Sequence, residues 1–185
     1  LATEEPLAIE LDGIRVATTM RTAGNDFELA VGFCHNEGLL DGHPVVEVKY
    51  CANGSAAASA FNIVTVSTAG KAPEPVPRLA TTTSSCGFCG TDNIDELAAR
   101  LEPVVGDRVD WQVLAEAPDL LRPSQDLFEA TGAVHAAGIV ELDGSLSVVR
   151  EDVGRHNAVD KLVGRSLLDG KVPLTGRGVV VSGRA

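Results

Sequence analysis

Aromatic side chains are scarce in this 185-residue chain, which has five Phe, one Tyr and one Trp. Base-stacking surfaces for single-stranded nucleic acid need more rings than that. Excess positive charge is missing too: 15 Lys and Arg stand against 26 Asp and Glu, a formal net charge of −11. Duplex binding needs a basic footprint, so nucleic acid is disfavoured as a partner, although a local basic pocket for a phosphorylated small molecule is not. No apolar run approaches the roughly 20 residues of a membrane span. The start, Leu1 to Glu5, carries acid and no basic residue, so neither membrane anchor nor secretory leader is predicted. Cysteines number four, Cys34, Cys51, Cys86 and Cys89. Without an export signal they read as cytoplasmic thiols rather than a disulfide framework.

What is present is a globular balance, 44% hydrophobic and 22% charged residues, with a core that must be built from Ala, Val, Leu and Ile. Apolar runs on either side of Asp12-Gly13 predict a hairpin. Asn25 or Asp26 then caps a helix through Phe27, Ala30, Val31, Phe33 and Cys34, ending near Gly38. Val45 to Cys51 and Phe61 to Val66 read as two strands around Asn53-Gly54. Pro73, Pro75 and Pro77 mark an extended joint. After a Thr/Ser-rich loop holding Cys86 and Cys89, Asp92 caps a helix through Ile94, Leu97, Ala98 and Leu101. Ser124 caps another through Leu127, Phe128 and Val134. Gly138 to Leu142 and Ser145 to Arg150 form a hairpin around Asp143-Gly144, Val153 to Leu168 is a helix, and Gly178 to Ser182 is an apolar strand of the kind buried within a sheet. The fold class is α/β, in two parts: a small α+β subdomain over residues 1–123, ending in the flexible cysteine loop and a linking segment, and a three-layer α/β sandwich over 124–185. A buried strand normally feeds a covering helix, so more protein is expected after Ala185.

Two motifs carry chemistry. Cys86-Gly87-Phe88-Cys89 sets two thiols three positions apart, just before a predicted helix start that favours thiolate, the nucleophilic form. The alternatives are half of a zinc site, for which no second ligand pair stands at the usual spacing, a thioredoxin-like motif, which lacks the preceding buried strand, and an inert surface pair. Arg150 to Lys161 gathers charged and imidazole side chains and the Asn157 amide at a strand-to-helix turn. Such a turn presents backbone N–H groups to an anion, with Arg155, His156 and Lys161 alongside and Asp152 or Asp160 able to accept a hydrogen bond or hold Arg155; the alternative is a solvated helix start with local ion pairs. His135, in a small apolar stretch, is either a structural histidine or an additional contact from the preceding helix. Gly24 to Glu28 reads as a cap or an interface lining, Cys34 as core, and Cys51 has no assigned role.

Together, Glu5-Pro6-Leu7, Gly24 to Phe33, Thr82 to Gly90, Thr131 to Ala137, Arg150 to Gly164 and Ser182 to Ala185 resemble, in order, the formate dehydrogenase accessory sulfurtransferase family (FdhD). The resemblance implies a sulfurtransferase in which a cysteine desulfurase loads persulfide onto the Cys-x-x-Cys loop, Cys86 carrying it and Cys89 assisting. The sulfur passes to a bound substrate, the molybdenum (or tungsten) bis(molybdopterin guanine dinucleotide) cofactor needed by formate dehydrogenase, with no permanently bound metal. The guanine dinucleotide is expected at Arg155, His156, Asn157, Lys161, Asp152 and His135, and a homodimer is compatible with this reading. The family's second domain is similar to cytidine deaminases. Zinc deaminases need His-x-Glu at a helix start followed by a Cys-x-x-Cys; here the turn reads His156-Asn157-Ala158 and the cysteine pair comes earlier. A non-catalytic cofactor chaperone is the remaining alternative.

Overall fold

The computed structural model describes residues 2–51, 55–57, 59–75 and 110–183. The Asn53-Gly54 turn, the Cys86–Cys89 loop, the helix expected after Asp92 and Arg184-Ala185 lie outside the described residues. The hairpin forms as the sequence predicts, from β1 (Glu4–Leu11) and β2 (Ile14–Thr22). Asp12 and Gly13 take positive φ, 47° and 87°, as two-residue turns between twisted strands require. Helix α1 (Asp26–Asn36) follows. Asn25 stands at its N-cap in left-handed backbone, φ 57°, and its side chain makes no capping bond. The Asp26 carboxylate accepts instead from Arg21 at 3.0 Å and Tyr50 at 3.1 Å. Strands β3 (Glu47–Tyr50) and β4 (Ile63–Ser67) complete a four-stranded sheet of order β2-β1-β4-β3. Its buried face, Leu7, Ile9, Leu11, Val64 and Val66, packs on Leu29, Ala30, Val31 and Cys34 of α1.

The second half departs from expectation in its helices. Helix α2 (Trp111–Leu121) falls where the sequence suggests only a linking segment. Asp110 caps it by accepting from the Gln112 N–H at 3.0 Å. A 3-10 turn at Arg122–Ser124 leads to α3 (Asp126–Thr131), which Gly132 ends in left-handed backbone, φ 65°. Ser124 is therefore not its cap, and Val134 lies beyond it. Strands β5 (His135–Val140), β6 (Leu146–Asp152) and β7 (Gly178–Val181) form an antiparallel sheet of order β6-β5-β7. The β7 run is not interior: among the described residues it pairs with β5 alone, and Val179 is 50% exposed. Helix α4 (Arg155–Leu168) covers one face of this sheet, Ala158 and Leu162 meeting Ala137 and Ile139. Gly138 points to the other face, where a Cβ would touch Leu121 of α2. Helix, sheet and helix thus make the expected three α/β layers, with α2 as the unexpected third. No helix of the described residues is long and apolar enough to cross a membrane.

The two sheets meet through their helices, α1 packing against α4. A Cβ on Gly32 would collide with the Asp160 carbonyl, and one on Gly164 with the Glu28 carbonyl, so the two backbones approach at reciprocal glycines. Gly164→Ala or Gly32→Ala is expected to cost about 3 kcal/mol in urea unfolding, the upper end of overpacking, because backbone cannot step aside.

Asp160, at this crossing, is 9% exposed and accepts from Asn36 Nδ2 at 2.7 Å. Burial pushes its carboxyl up to about 7, and the charges of Glu37 and Asp152 add to the rise. The folded protein therefore holds a proton that the unfolded chain releases near pH 4. Stability from this group is full below that pH and lost as pH rises through about 7, by up to about 4 kcal/mol. Asp160→Asn should remove this loss, so that the variant gains on the wild type between pH 4 and 8 in denaturation curves.

Candidate functional site

Helix α4 starts where β6 ends, and the charged residues of Arg150 to Lys161 divide there into two sets. Arg155 and His156 are exposed on the first turn. Gly154, the N-cap, has extended backbone, and among the described residues no side chain caps the helix. The first intrahelical bond runs from Ala158 N–H to Gly154 O, leaving the N–H groups of the opening turn for an outside acceptor. An anion in front of this turn would meet those dipoles together with the Arg155 guanidinium and the His156 ring.

The second set lies behind the turn. Lys161 and Asp152 are 1% and 0% exposed and form an ion pair at 2.7 Å. The remaining Lys161 protons go to Thr22 O at 2.9 Å and Glu151 O at 3.3 Å. Asp152 also accepts from the N–H groups of Thr22 (3.1 Å) and Gly154 (2.8 Å) and from Asn157 Nδ2 (2.9 Å). Three ammonium donors and four carboxylate sites are then all taken by the protein. Asn157, also buried, donates to Met20 O at 2.8 Å and accepts from Thr19 Oγ1 at 3.3 Å. The amide folds back because residue 154 is glycine; a Cβ there would lie 2.9 Å from Asn157 Nδ2. Asp152, Asn157 and Lys161 thus brace the turn from inside. Neither acid expected to hold Arg155 is seen to do so: the Asp152 acceptor sites go to Lys161, Thr22, Gly154 and Asn157, and Asp160 accepts from Asn36.

The flanking charges are committed as well. Arg150 grips Glu28 of α1 through Nε and Nη2, and this pairing raises the guanidinium pKa. Glu151 accepts from the N–H groups of Leu127 (2.8 Å) and Phe128 (2.9 Å), supplying from β6 the cap that α3 lacks locally. His135 opens β5, not a helix, and stands opposite Asp152 in register at the edge of the sheet where α4 begins. At that edge Ser182 donates its N–H to Ala136 O and accepts from Ala136 N–H through Oγ, both at 2.8 Å.

Glu28, Glu151 and Thr22 have structural parts in this site that the sequence reading missed. Glu28 lies in the Gly24 to Glu28 run; Thr22 is marked by no local signal. Cys34 is core, its thiol pushed up to about 12 by burial and by the Asp160 and Asp12 charges, and Cys51 is half-buried after β3. Cys86 and Cys89 lie outside the described residues. Two shallow depressions around Asp12 and Gly70 lie at the far end of the β1–β2 hairpin from Thr22 and include none of these residues.

Lys161→Met should cost about 3–5 kcal/mol in urea unfolding, because it leaves Asp152 buried and unpaired; Asp152→Asn in the same chain should recover part of the loss. Arg155→Ala, on the open side, should stay within about 0.5 kcal/mol of wild type.

Comparison with known proteins bears on what this arrangement serves. The model of the FdhD/NarQ family matches residues 2–185. A Streptomyces coelicolor protein named sulfur carrier protein FdhD is 45% identical over 194 aligned positions, which cover 100% of this chain and 69% of that protein. A protein of the same name from Anaeromyxobacter dehalogenans is 42% identical over 200 positions, again covering 100% of this chain and 69% of its own. Among solved structures, one from Desulfotalea psychrophila, described as a formate dehydrogenase accessory protein, superposes with a TM-score of 0.70 at 26% identity, covering 100% of this chain and 67% of that one. On a family match over residues 2–185 and on whole-chain identities of this size, the chain belongs to the FdhD/NarQ family.

Proposed function

We propose that this protein is a sulfurtransferase of formate dehydrogenase maturation, carrying persulfide sulfur on Cys86 from a cysteine desulfurase to the bis(molybdopterin guanine dinucleotide) molybdenum cofactor. The relatives' name, sulfur carrier protein, and the Cys86-Gly87-Phe88-Cys89 pair within the matched span support the sulfur chemistry. In the loading step the Cys86 thiolate attacks the outer sulfur of the desulfurase persulfide, the S–S bond there breaks, and the desulfurase thiolate leaves. In delivery the Cys89 thiolate attacks Cys86 Sγ, releasing hydrosulfide to the metal of the substrate and leaving a Cys86–Cys89 disulfide. A cellular dithiol then reduces it, which suits a cytoplasmic setting.

The observation that carries the substrate side is the open start of α4. Pyrophosphates of the guanine dinucleotide approach a protein of net charge −11, so long-range attraction is unavailable and affinity has to be local. Arg155, His156 and the uncapped N–H groups supply that local site, braced by Asp152, Asn157 and Lys161, with His135 at the neighbouring sheet edge. A deaminase reading finds no support here: Ala158, where zinc deaminases place their glutamate, is 0% exposed and packs into the sheet.

Intact mass after incubation with a cysteine desulfurase and cysteine should show added sulfur in wild type and none in Cys86→Ala, with turnover impaired in Cys89→Ala. Wild type without added sulfur would favour the non-catalytic chaperone. Arg155→Ala should weaken GDP binding by about 1–3 kcal/mol while sulfur still loads. Unchanged GDP affinity in both Arg155→Ala and His156→Ala would place the nucleotide elsewhere.

A further inference from the structure

We propose that Thr22, the last residue of β2, is a positioning residue for nucleotide binding at the start of α4; this rests on reading that turn as the docking site. Thr22 is 7% exposed and 133 residues away in sequence from Arg155, yet all three of its polar groups engage the β6–α4 turn. Its N–H donates to Asp152 at 3.1 Å, its carbonyl accepts from Lys161 at 2.9 Å, and its Oγ1 accepts from the Val153 N–H at 2.9 Å.

The first two contacts use backbone and are open to any residue except proline in the donor role. The third is specific to a hydroxyl. The Val153 N–H belongs to the Asp152–Val153 peptide, so this bond fixes the plane of that peptide, two before the one that carries the Arg155 N–H. That peptide and the next, whose Gly154 N–H is held by Asp152, together set the course of the chain into α4 and with it the direction of the Arg155 and His156 N–H groups. Without the Thr22 hydroxyl, this part-buried N–H has to find another acceptor, and its peptide group shifts to do so. The turn and its N–H groups turn with it. Thr22 itself stands behind the turn, on the side of the buried Asp152–Lys161 pair, and acts on the ligand only through this geometry.

The same contacts tie the substrate side to the first sheet. Two residues after Thr22, Gly24 and Asn25 lead into α1, which packs against α4. The anion site is therefore built by both sheets, although every residue expected to touch the ligand belongs to the second.

The test is GDP affinity, by titration calorimetry, in Thr22→Val, Thr22→Ser and Leu40→Ala, with the melting temperature of each. Thr22→Val keeps shape and removes the acceptor; about tenfold weaker GDP binding is expected, the equivalent of one hydrogen bond. Thr22→Ser keeps Oγ and should bind within about twofold of wild type. Leu40→Ala truncates the first sheet's core and removes no side-chain hydrogen bond of the turn, so it should lower the melting temperature and leave affinity unchanged, separating positioning from general loss of stability. If Thr22→Val does not fold, the smaller Thr22→Ala is read in the same way. Wild-type affinity in the hydroxyl-free variant, or equal weakening in Thr22→Ser or Leu40→Ala, would overturn the positioning role alone. A wild type that binds no GDP would overturn the docking site and this inference with it.

Discussion

The buried pair between Lys161 and Asp152, 2.7 Å apart, fixes the geometry on which the rest of the structure depends. Neither charge tolerates burial alone, since an unpaired ion in the interior costs several kcal/mol, so the fold must bring the end of β6 and the second turn of α4 together. The pair's leftover hydrogen-bonding capacity is met at Thr22, from the other sheet. One ion pair thereby sets where α4 begins and how the two sheets stand relative to each other. The glycine crossing of α1 and α4 follows from that placement: with α4 anchored at its start, Gly32 and Gly164 let the helices close to backbone contact.

This division of charge supports the proposed anion site on an acidic protein. Cations that point inward are neutralised by Asp152, and Arg150 is neutralised by Glu28. Arg155 and His156 stand exposed at a helix start that no side chain of the described residues caps. The brace is rigid because its donors and acceptors are matched, and rigidity is what a binding site needs.

Much of the fold was legible because it is local. Asp12-Gly13 and Asp143-Gly144 announce their hairpins through turn residues that accept positive φ, and α1 and α4 show apolar positions at helical spacing. The misreadings arose where tertiary contacts decide. Pro118 and a weakly marked start hid α2, whose helical state is supported by packing of Ala117 and Leu121 onto the second sheet. Gly132 reads as a weak point in a helix but is its end. The site was half legible: Arg150 to Lys161 stands out as a cluster, but residue type does not tell a lysine that meets a ligand from one that meets a buried aspartate. The distinction lies in Thr22, which is distant in sequence and has no pattern of its own.

Hydrogen–deuterium exchange of the wild-type protein with and without GDP tests the central claim, that the opening turn of α4 receives the nucleotide end of the substrate. Amides of Arg155, His156 and Asn157 should exchange more slowly in the presence of GDP, since the ligand would occupy N–H groups that no side chain of the described residues caps. Protection confined to another region, such as the depressions around Asp12 and Gly70, with Arg155 to Asn157 unchanged, would contradict it.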